Sequence, residues 1–135
     1  MIRAQAMAAR LACARMTVLH LAELHDSLER ACRLRARSQW ARKAAAHAEI
    51  FSLLAGVVDD PLLTGNAADL GNVMLAVGHG ADGMIISSRR RLLAHLRAGD
   101  GEAAALEMDR HLRSLLYMWR LTLPGSQADA SEAMT

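Results

Sequence analysis

Aromatic residues are nearly missing from this chain, which has two Trp, one Tyr and one Phe among 135 residues. Long runs of β-branched residues are also missing, whereas Ala, Leu, Met and Arg are common. The missing residue types favour strands and the common ones favour helices. With 53% hydrophobic residues, a single domain of this length can bury a substantial core. The composition therefore predicts one all-α domain.

The sequence also lacks the features of several classes of protein. No apolar stretch approaches the ~20 residues that a membrane helix needs. Arg3, Gln5 and Arg10 interrupt the segment where a secretory signal would be apolar. The net charge of +2 is too small to indicate binding to nucleic acid or to a membrane surface. We therefore expect a cytoplasmic protein without a membrane contact.

Motifs for catalysis are missing as well. The sequence contains no recognisable nucleophile–base pair, phosphate-binding loop or paired-carboxylate motif, so we expect no enzyme. Its two cysteines, Cys13 and Cys32, lie at predicted helical positions without the spacing of metal ligands. We expect both thiols to be reduced, as is usual in the cytoplasm.

Helix start and stop signals divide the chain into about six helices. Thr17 and Ser38 are predicted N-caps, and Asp60 is a predicted N-cap followed by Pro61 at the first helical position. The pair Gly99-Asp100 has the pattern of a C-cap followed directly by an N-cap. The predicted helices cover about 3–15, 18–35, a segment that begins after Ser38, 61–77, 84–97 and 101–123. The glycine-rich segment 78–83 is predicted as a loop or an irregular turn.

These signals predict the organisation of the whole chain. Short connections favour an antiparallel bundle of about six to seven helices. We predict that residues 1–123 form this domain and that residues 124–135, which are small and polar, form a flexible tail.

Three polar residues lie on the apolar faces of predicted helices: His47, Arg89 and His111. At helical spacing each shares a face with large apolar residues. A buried charge without a counter-charge or hydrogen bonds costs several kcal/mol. The pattern therefore predicts a polar chamber inside the bundle, with basic walls that suit an anionic ligand.

The residues themselves leave alternatives open. His47 and His111 can be hydrogen-bonded core histidines, direct contacts to a bound anion, or a two-histidine metal site completed by water or ligand oxygens. Arg89 can bind a ligand carboxylate through two parallel hydrogen bonds. Alternatively, it can form a structural ion pair with an acidic residue such as Glu49 or Asp109.

Several short motifs in this order resemble a known family. They are LLAHLRAGD at 92–100, an alanine run at 103–105, RHL at 110–112, AARLA at 8–12 and AAH at 45–47. Together they resemble the FCD domain, the helical effector-sensing domain of GntR-family bacterial transcription regulators of the FadR-like subfamily. The resemblance extends from about residue 2 to residue 122.

The resemblance implies a metal site of one Asp and three His, which falls on Lys43, His47, Arg89 and His111. Lysine and arginine cannot donate a lone pair at neutral pH, and a stable site needs at least three protein ligands. We therefore expect no metal cofactor. If a divalent ion binds at all, His47 and His111 are its remaining ligands. We expect the flexible stem of Lys43 to carry its ammonium group to solvent.

The resemblance also implies a function. We expect an effector-binding and dimerisation domain that senses a small organic acid in the bundle core, with Lys43, His47, Arg89 and His111 as candidate ligand-binding residues. We expect a homodimer that contacts DNA only through a winged-helix domain, which the family places on the N-terminal side and which we expect to be absent from this chain. The alternative is an α-helical dimerisation or interaction module with a ligand-free core.

Overall fold

The computed structural model describes residues 1–124, and these residues form six α-helices and two 3₁₀ turns with no strand. The helices are α1 (Ile2–Arg15), α2 (Val18–Arg33), α3 (Trp40–Val58), α4 (Pro61–Val77), α5 (Asp82–Ala98) and α6 (Gly101–Thr122), and the 3₁₀ turns are Arg37–Gln39 and His79–Ala81. The all-α prediction is therefore confirmed. The predicted flexible tail lies, from residue 125 onward, outside the described residues.

Most of the predicted helix ends are confirmed by their hydrogen bonds. The Thr17 hydroxyl accepts the His20 backbone N–H at 3.3 Å, and His20 Nδ1 accepts the Thr17 N–H at 3.1 Å. The carboxylates of Asp60 and Asp100 accept N–H groups in the first turns of α4 and α6 at 3.0 and 3.1 Å. Gly99 ends α5 with a positive φ of 69°, a conformation that glycine adopts without strain.

Two helix starts differ from the prediction. Ser38 does not cap α3, because it lies inside the 3₁₀ turn Arg37–Gln39. The N–H of Ala36, just before this turn, donates to the Gln39 side-chain oxygen at 3.1 Å. Helix α5 begins at Asp82 rather than at residue 84. The segment predicted as a loop or an irregular turn contains the 3₁₀ turn His79–Ala81, and Gly78, with φ of 79°, makes the break before it.

The helices surround one main core. α1 packs against α6 and α3, α3 packs against α4 and α2, and α5 packs against α6 and α2. The inward faces of α3, α4, α5 and α6 supply the largest fully buried apolar side chains: Phe51, Leu54, Leu70, Met74, Ile85, Leu92, Met108, Leu112 and Leu115. This arrangement places the polar residues of α3, α5 and α6 among apolar neighbours. None of the helices within residues 1–124 is both long and apolar enough to cross a lipid bilayer.

Candidate functional site

Lys43 and His47 lie one turn apart on α3, and both bind the carboxylate of Asp82 at the start of α5. Lys43 Nζ is 2.6 Å from Asp82 Oδ2, and His47 Nε2 is 3.0 Å from Asp82 Oδ1. Lys43 is only 3% exposed, so the prediction that its ammonium group reaches solvent is wrong. The physical reason is the counter-charge of Asp82, which makes burial of the lysine possible.

Arg89 lies on the inner face of α5 and is only 6% exposed. Its Nη2 donates a hydrogen bond to the backbone carbonyl of His47 at 3.1 Å. Its Cζ lies 5.0 Å from the centroid of the Phe51 ring, a cation–π distance. Its Nε and Nη1 have no hydrogen-bond partner within the part of the chain that the structure describes.

The two carboxylates that could have paired with Arg89 bind other arginines. Glu49 Oε2 lies 2.5 Å from Arg30 Nη2, and Asp109 Oδ1 lies 2.6 Å from Arg113 Nε. The interpretation of Arg89 as the partner of Glu49 or Asp109 is therefore wrong. Burial lowers the pKa of Arg89 to about 9, which still leaves it protonated at neutral pH. Arg89 thus carries a buried positive charge without a carboxylate partner among residues 1–124.

Burial keeps both core histidines neutral at neutral pH. It lowers the pKa of His47 to about 4, although the hydrogen bond that His47 Nε2 donates to Asp82 acts in the opposite direction. Burial also lowers the pKa of His111 well below its usual range, and the positive charge of Arg89 adds to this effect. His47 Nδ1 and both ring nitrogens of His111 have no partner in the described residues. A neutral imidazole offers one N–H donor and one acceptor nitrogen, so His111 can both donate and accept a hydrogen bond.

A small cavity lies between α2, α3 and α5. Its volume is about 20 Å³, enough for roughly one water molecule. Arg89 and His47 form the basic part of its wall, and most of the remainder is apolar. The lining residues are Leu24, Ser27 and Leu28 of α2, Ala46, His47 and Ile50 of α3, and Arg89 and Leu93 of α5. An organic ligand can enter only if these three helices move apart.

The structure brings the four candidate residues together to different degrees. His47 and Arg89 are in contact and line the same cavity. Lys43 is connected to His47 through Asp82. His111 is close enough for positive charge on Arg89 and His47 to lower its pKa, but it is not among the residues that line the cavity.

Sequence reasoning did not select Asp82 or Gln5. Asp82 belongs to the glycine-rich segment, where the glycines indicated only a break between helices. Gln5 is fully buried, and neither its amide nitrogen nor its amide oxygen has a partner within residues 1–124. Its position on the same face of α1 as Ala8, Ala9 and Ala12 was a usable signal for its burial.

A sequence model of the FCD domain matches residues 5–114 of this chain. The chain belongs to the FCD domain family. This domain is the C-terminal effector domain of GntR/FadR-like regulators, and it binds effectors and dimerises. The family is regulatory and not enzymatic, which confirms the predictions of the family and of a non-enzyme. Comparison with curated proteins and with solved structures finds no match.

The residues of this FCD domain do not fit the divalent metal that the resemblance implies. Two of the four implied ligand positions are the cations Lys43 and Arg89, which offer no lone pair at neutral pH. The carboxylate of Asp82 is already bound to the ammonium group of Lys43. No group of three His, Cys, Asp or Glu side chains within residues 1–124 could hold a metal ion. The site therefore has basic side chains where a metal site needs ligands.

Proposed function

We propose that this FCD domain senses a small organic acid and that Arg89 binds the carboxylate of this acid. The supporting observation is a buried guanidinium group with two unpartnered nitrogens and no carboxylate partner in the described residues. Burial of an uncompensated charge costs several kcal/mol. A carboxylate that accepts two parallel hydrogen bonds from Arg89 would remove most of this cost. The cavity beside Arg89 is the place where such a ligand would bind.

The other candidate residues have different roles in this proposal. His47 lines the cavity, and its unpartnered Nδ1, the acceptor nitrogen of a neutral ring whose Nε2–H donates to Asp82, can accept a hydrogen bond from a water molecule bound beside the ligand. His111 can donate or accept a hydrogen bond once the cavity has widened. Lys43 is a positioning residue, because its ammonium group binds Asp82, which in turn binds His47.

The acid would act by changing how the helices pack. A ligand shifts a conformational equilibrium only through its different affinities for the two arrangements. An acid that enters between α2, α3 and α5 would favour an arrangement with a wider cavity. In a homodimer, this change would alter the spacing of the two DNA-binding domains that GntR regulators carry, which is how such a regulator responds in the bacterial cytoplasm.

The small volume of the cavity supports a second candidate function. A space of about 20 Å³ does not hold an organic acid, which favours a helical dimerisation module with a ligand-free core. A thermal melt against a panel of mono-, di- and tricarboxylates separates the two candidates. Ligand-induced stabilisation is expected only for the sensor, because a ligand that binds the folded state raises its melting temperature.

The substitution Arg89→Met tests the role of the arginine. It keeps much of the apolar stem and removes the charge and the five N–H donors. If Arg89 binds the carboxylate, we expect calorimetry to show affinity weakened by about 2–5 kcal/mol, the range for truncating one partner of a buried charged pair. We also expect the unliganded domain to melt at the same temperature or higher, because a packed side chain replaces an unpaired buried charge.

Arg90→Met is the matched control, because Arg90 is the exposed neighbour on α5 and its Nη2 lies 3.7 Å from Cys32 Sγ, away from the cavity lining. We expect this variant to bind the acid as the unaltered protein does. Loss of stability in Arg89→Met with unchanged affinity for the acid would contradict the proposed role.

A further inference from the structure

The buried charges of the site leave one uncompensated cation. Lys43 and Asp82 form an ion pair with 2.6 Å between Nζ and Oδ2, so their charges cancel. His47 and His111 are neutral. Arg89 is the remaining charge of this group, and no carboxylate within residues 1–124 pairs with it. The group as a whole therefore has a charge of +1, which one carboxylate neutralises.

The nearest other buried carboxylate is already balanced. Glu107 of α6 accepts a hydrogen bond from the Ser88 hydroxyl at 2.9 Å, and its Oε1 lies 2.9 Å from Arg91 Nε. A second ion pair links it to Arg110 at 3.7 Å. Both arginines are exposed to solvent and neither lines the cavity, so they do not supply a second positive charge to it.

Beyond Arg89 and His47, the wall of the cavity is almost entirely apolar. Leu24 and Leu28 line it from α2, Ile50 from α3 and Leu93 from α5. The polar side chain at the α2 edge, Ser27, already donates its hydroxyl to Glu49. A second ligand carboxylate would meet apolar side chains or the ion pair of Glu49 with Arg30, whose cation is already bound. Its burial there without a counter-charge would cost several kcal/mol.

We propose that the effector is a monocarboxylate with an apolar body, which this domain binds without a metal ion. Its carboxylate pairs with the guanidinium group of Arg89, and its apolar body lies against Leu24, Leu28 and Leu93. Lys43 and Arg89 supply the positive charge that a metal would otherwise provide. Asp82 cancels the charge of Lys43, so the charge of Arg89 remains for the ligand. This inference rests on the proposed function and adds the charge and the polarity of the ligand.

Matched ligands on the unaltered, tag-free protein test the inference. The first series is the straight-chain monocarboxylates from butanoate to decanoate, with benzoate as a compact member. The second series is the dicarboxylates of the same carbon numbers, such as adipate against hexanoate, together with phthalate and citrate. Hexanamide is the neutral control. Each affinity is measured by calorimetry at neutral pH, with and without EDTA.

We expect the best monocarboxylate to bind at least about tenfold more tightly than its matched dicarboxylate, a difference of about 1.4 kcal/mol. We expect no binding of hexanamide and no effect of EDTA. In the variant Arg89→Met, the preference for monocarboxylates should be lost, whereas Arg90→Met should keep it.

The outcomes separate this inference from the function on which it rests. If a di- or tricarboxylate binds more tightly than every monocarboxylate, the inference is wrong and the sensing of an organic acid stands. If EDTA abolishes binding and added Zn²⁺ restores it, recognition without metal is wrong. If no acid of either series binds, both the inference and the proposed function are overturned.

Discussion

The ion pair between Lys43 and Asp82 joins two side chains of different exposure. The Lys43 side chain is 4% exposed and the Asp82 side chain is 16% exposed. The Asp82 carboxylate keeps a hydrogen bond from His47 when the lysine is removed, whereas Lys43 has no second side-chain partner among residues 1–124. Replacement of Asp82 and replacement of Lys43 should therefore lower the free energy of unfolding by different amounts.

We expect Asp82→Asn to lower the free energy of unfolding by about 3–5 kcal/mol, because it leaves a buried ammonium group without its counter-charge. Lys43→Met should cost less, since Asp82 can still interact with His47 and with water. The double variant should be more stable than Asp82→Asn alone, because both charges are gone. Urea unfolding of the four proteins measures the coupling.

Additive losses in the double variant would contradict this account of the pair.

The same site gives a prediction about metal binding. Addition of Zn²⁺ should not raise the melting temperature of the unaltered protein, since Lys43 and Arg89 offer no lone pairs.

His47 and Arg89 could be selected from the sequence because helical periodicity places them on apolar faces. Their partners could not be selected in the same way. Asp82 lies 39 residues after Lys43, and no local pattern shows which helix start packs against which helix face. A prediction that does not include Asp82 as the partner of Lys43 favours exposure of the lysine, because its long stem can reach solvent. This explains why the prediction for Lys43 was wrong.

Helix α2 is the element that covers the cavity. It packs against α3 and α5, and its Leu24 and Leu28 form the apolar wall opposite Arg89. Its edge is held by Glu49 of α3, which binds both Ser27 and Arg30 of α2. A ligand larger than one water molecule therefore requires α2 to move away from α3 and α5.

Hydrogen exchange can detect this movement. We expect the panel acid with the largest stabilising effect to change the exchange of the α2 amides and to leave those of α4, which does not line the cavity, nearly unchanged. Equal changes in α2 and α4 would show that α2 is not the moving element.

Glu49→Gln provides a ligand-free version of the same test. Exposed ion pairs contribute about 0.2–1 kcal/mol, so loss of the pair with Arg30 should speed the exchange of the α2 amides by about 1.4- to fivefold. Asp109→Asn removes a similarly exposed ion pair on α6 and should leave the exchange of α2 unchanged.

The helix ends that local hydrogen bonds determine could be predicted from the sequence. Thr17, Asp60 and the Gly99-Asp100 pair each act within three or four residues, so the sequence alone contains the relevant partners. The start of α5 could not be predicted in this way, because Asp82, its first residue, is held by α3. The glycines of segment 78–83 indicate a break between α4 and α5, but they do not indicate how many residues the break contains.

At the scale of the whole molecule, the buried histidines make stability depend on pH. The pKa of His47 is about 4 in the folded protein and 6.5 as an ordinary value. Between these two values the unfolded chain binds more protons than the folded one, so stability is full above about pH 6.5 and falls as the pH decreases toward 4. His47 alone should account for about 3 kcal/mol, and His111 acts in the same direction.

We therefore expect the melting temperature to fall steadily from pH 7 to pH 5. His47→Gln should make this decrease shallower, because glutamine can donate to Asp82 and does not titrate. His25→Gln, on a less buried histidine of α2, is the control and should keep the full decrease. A melting temperature that rises toward pH 5 would contradict the assignment of neutral buried histidines.

The positive charges of Lys43 and Arg89 have a consequence for the cell. They are encoded in the gene and are present as soon as the domain folds, whereas the charge of a bound ion depends on uptake and on competition from other proteins. The response of such a regulator to its acid would not follow the intracellular supply of zinc or nickel. The same concentration of the acid would then cause the same change in transcription in a metal-starved cell and in a metal-replete cell.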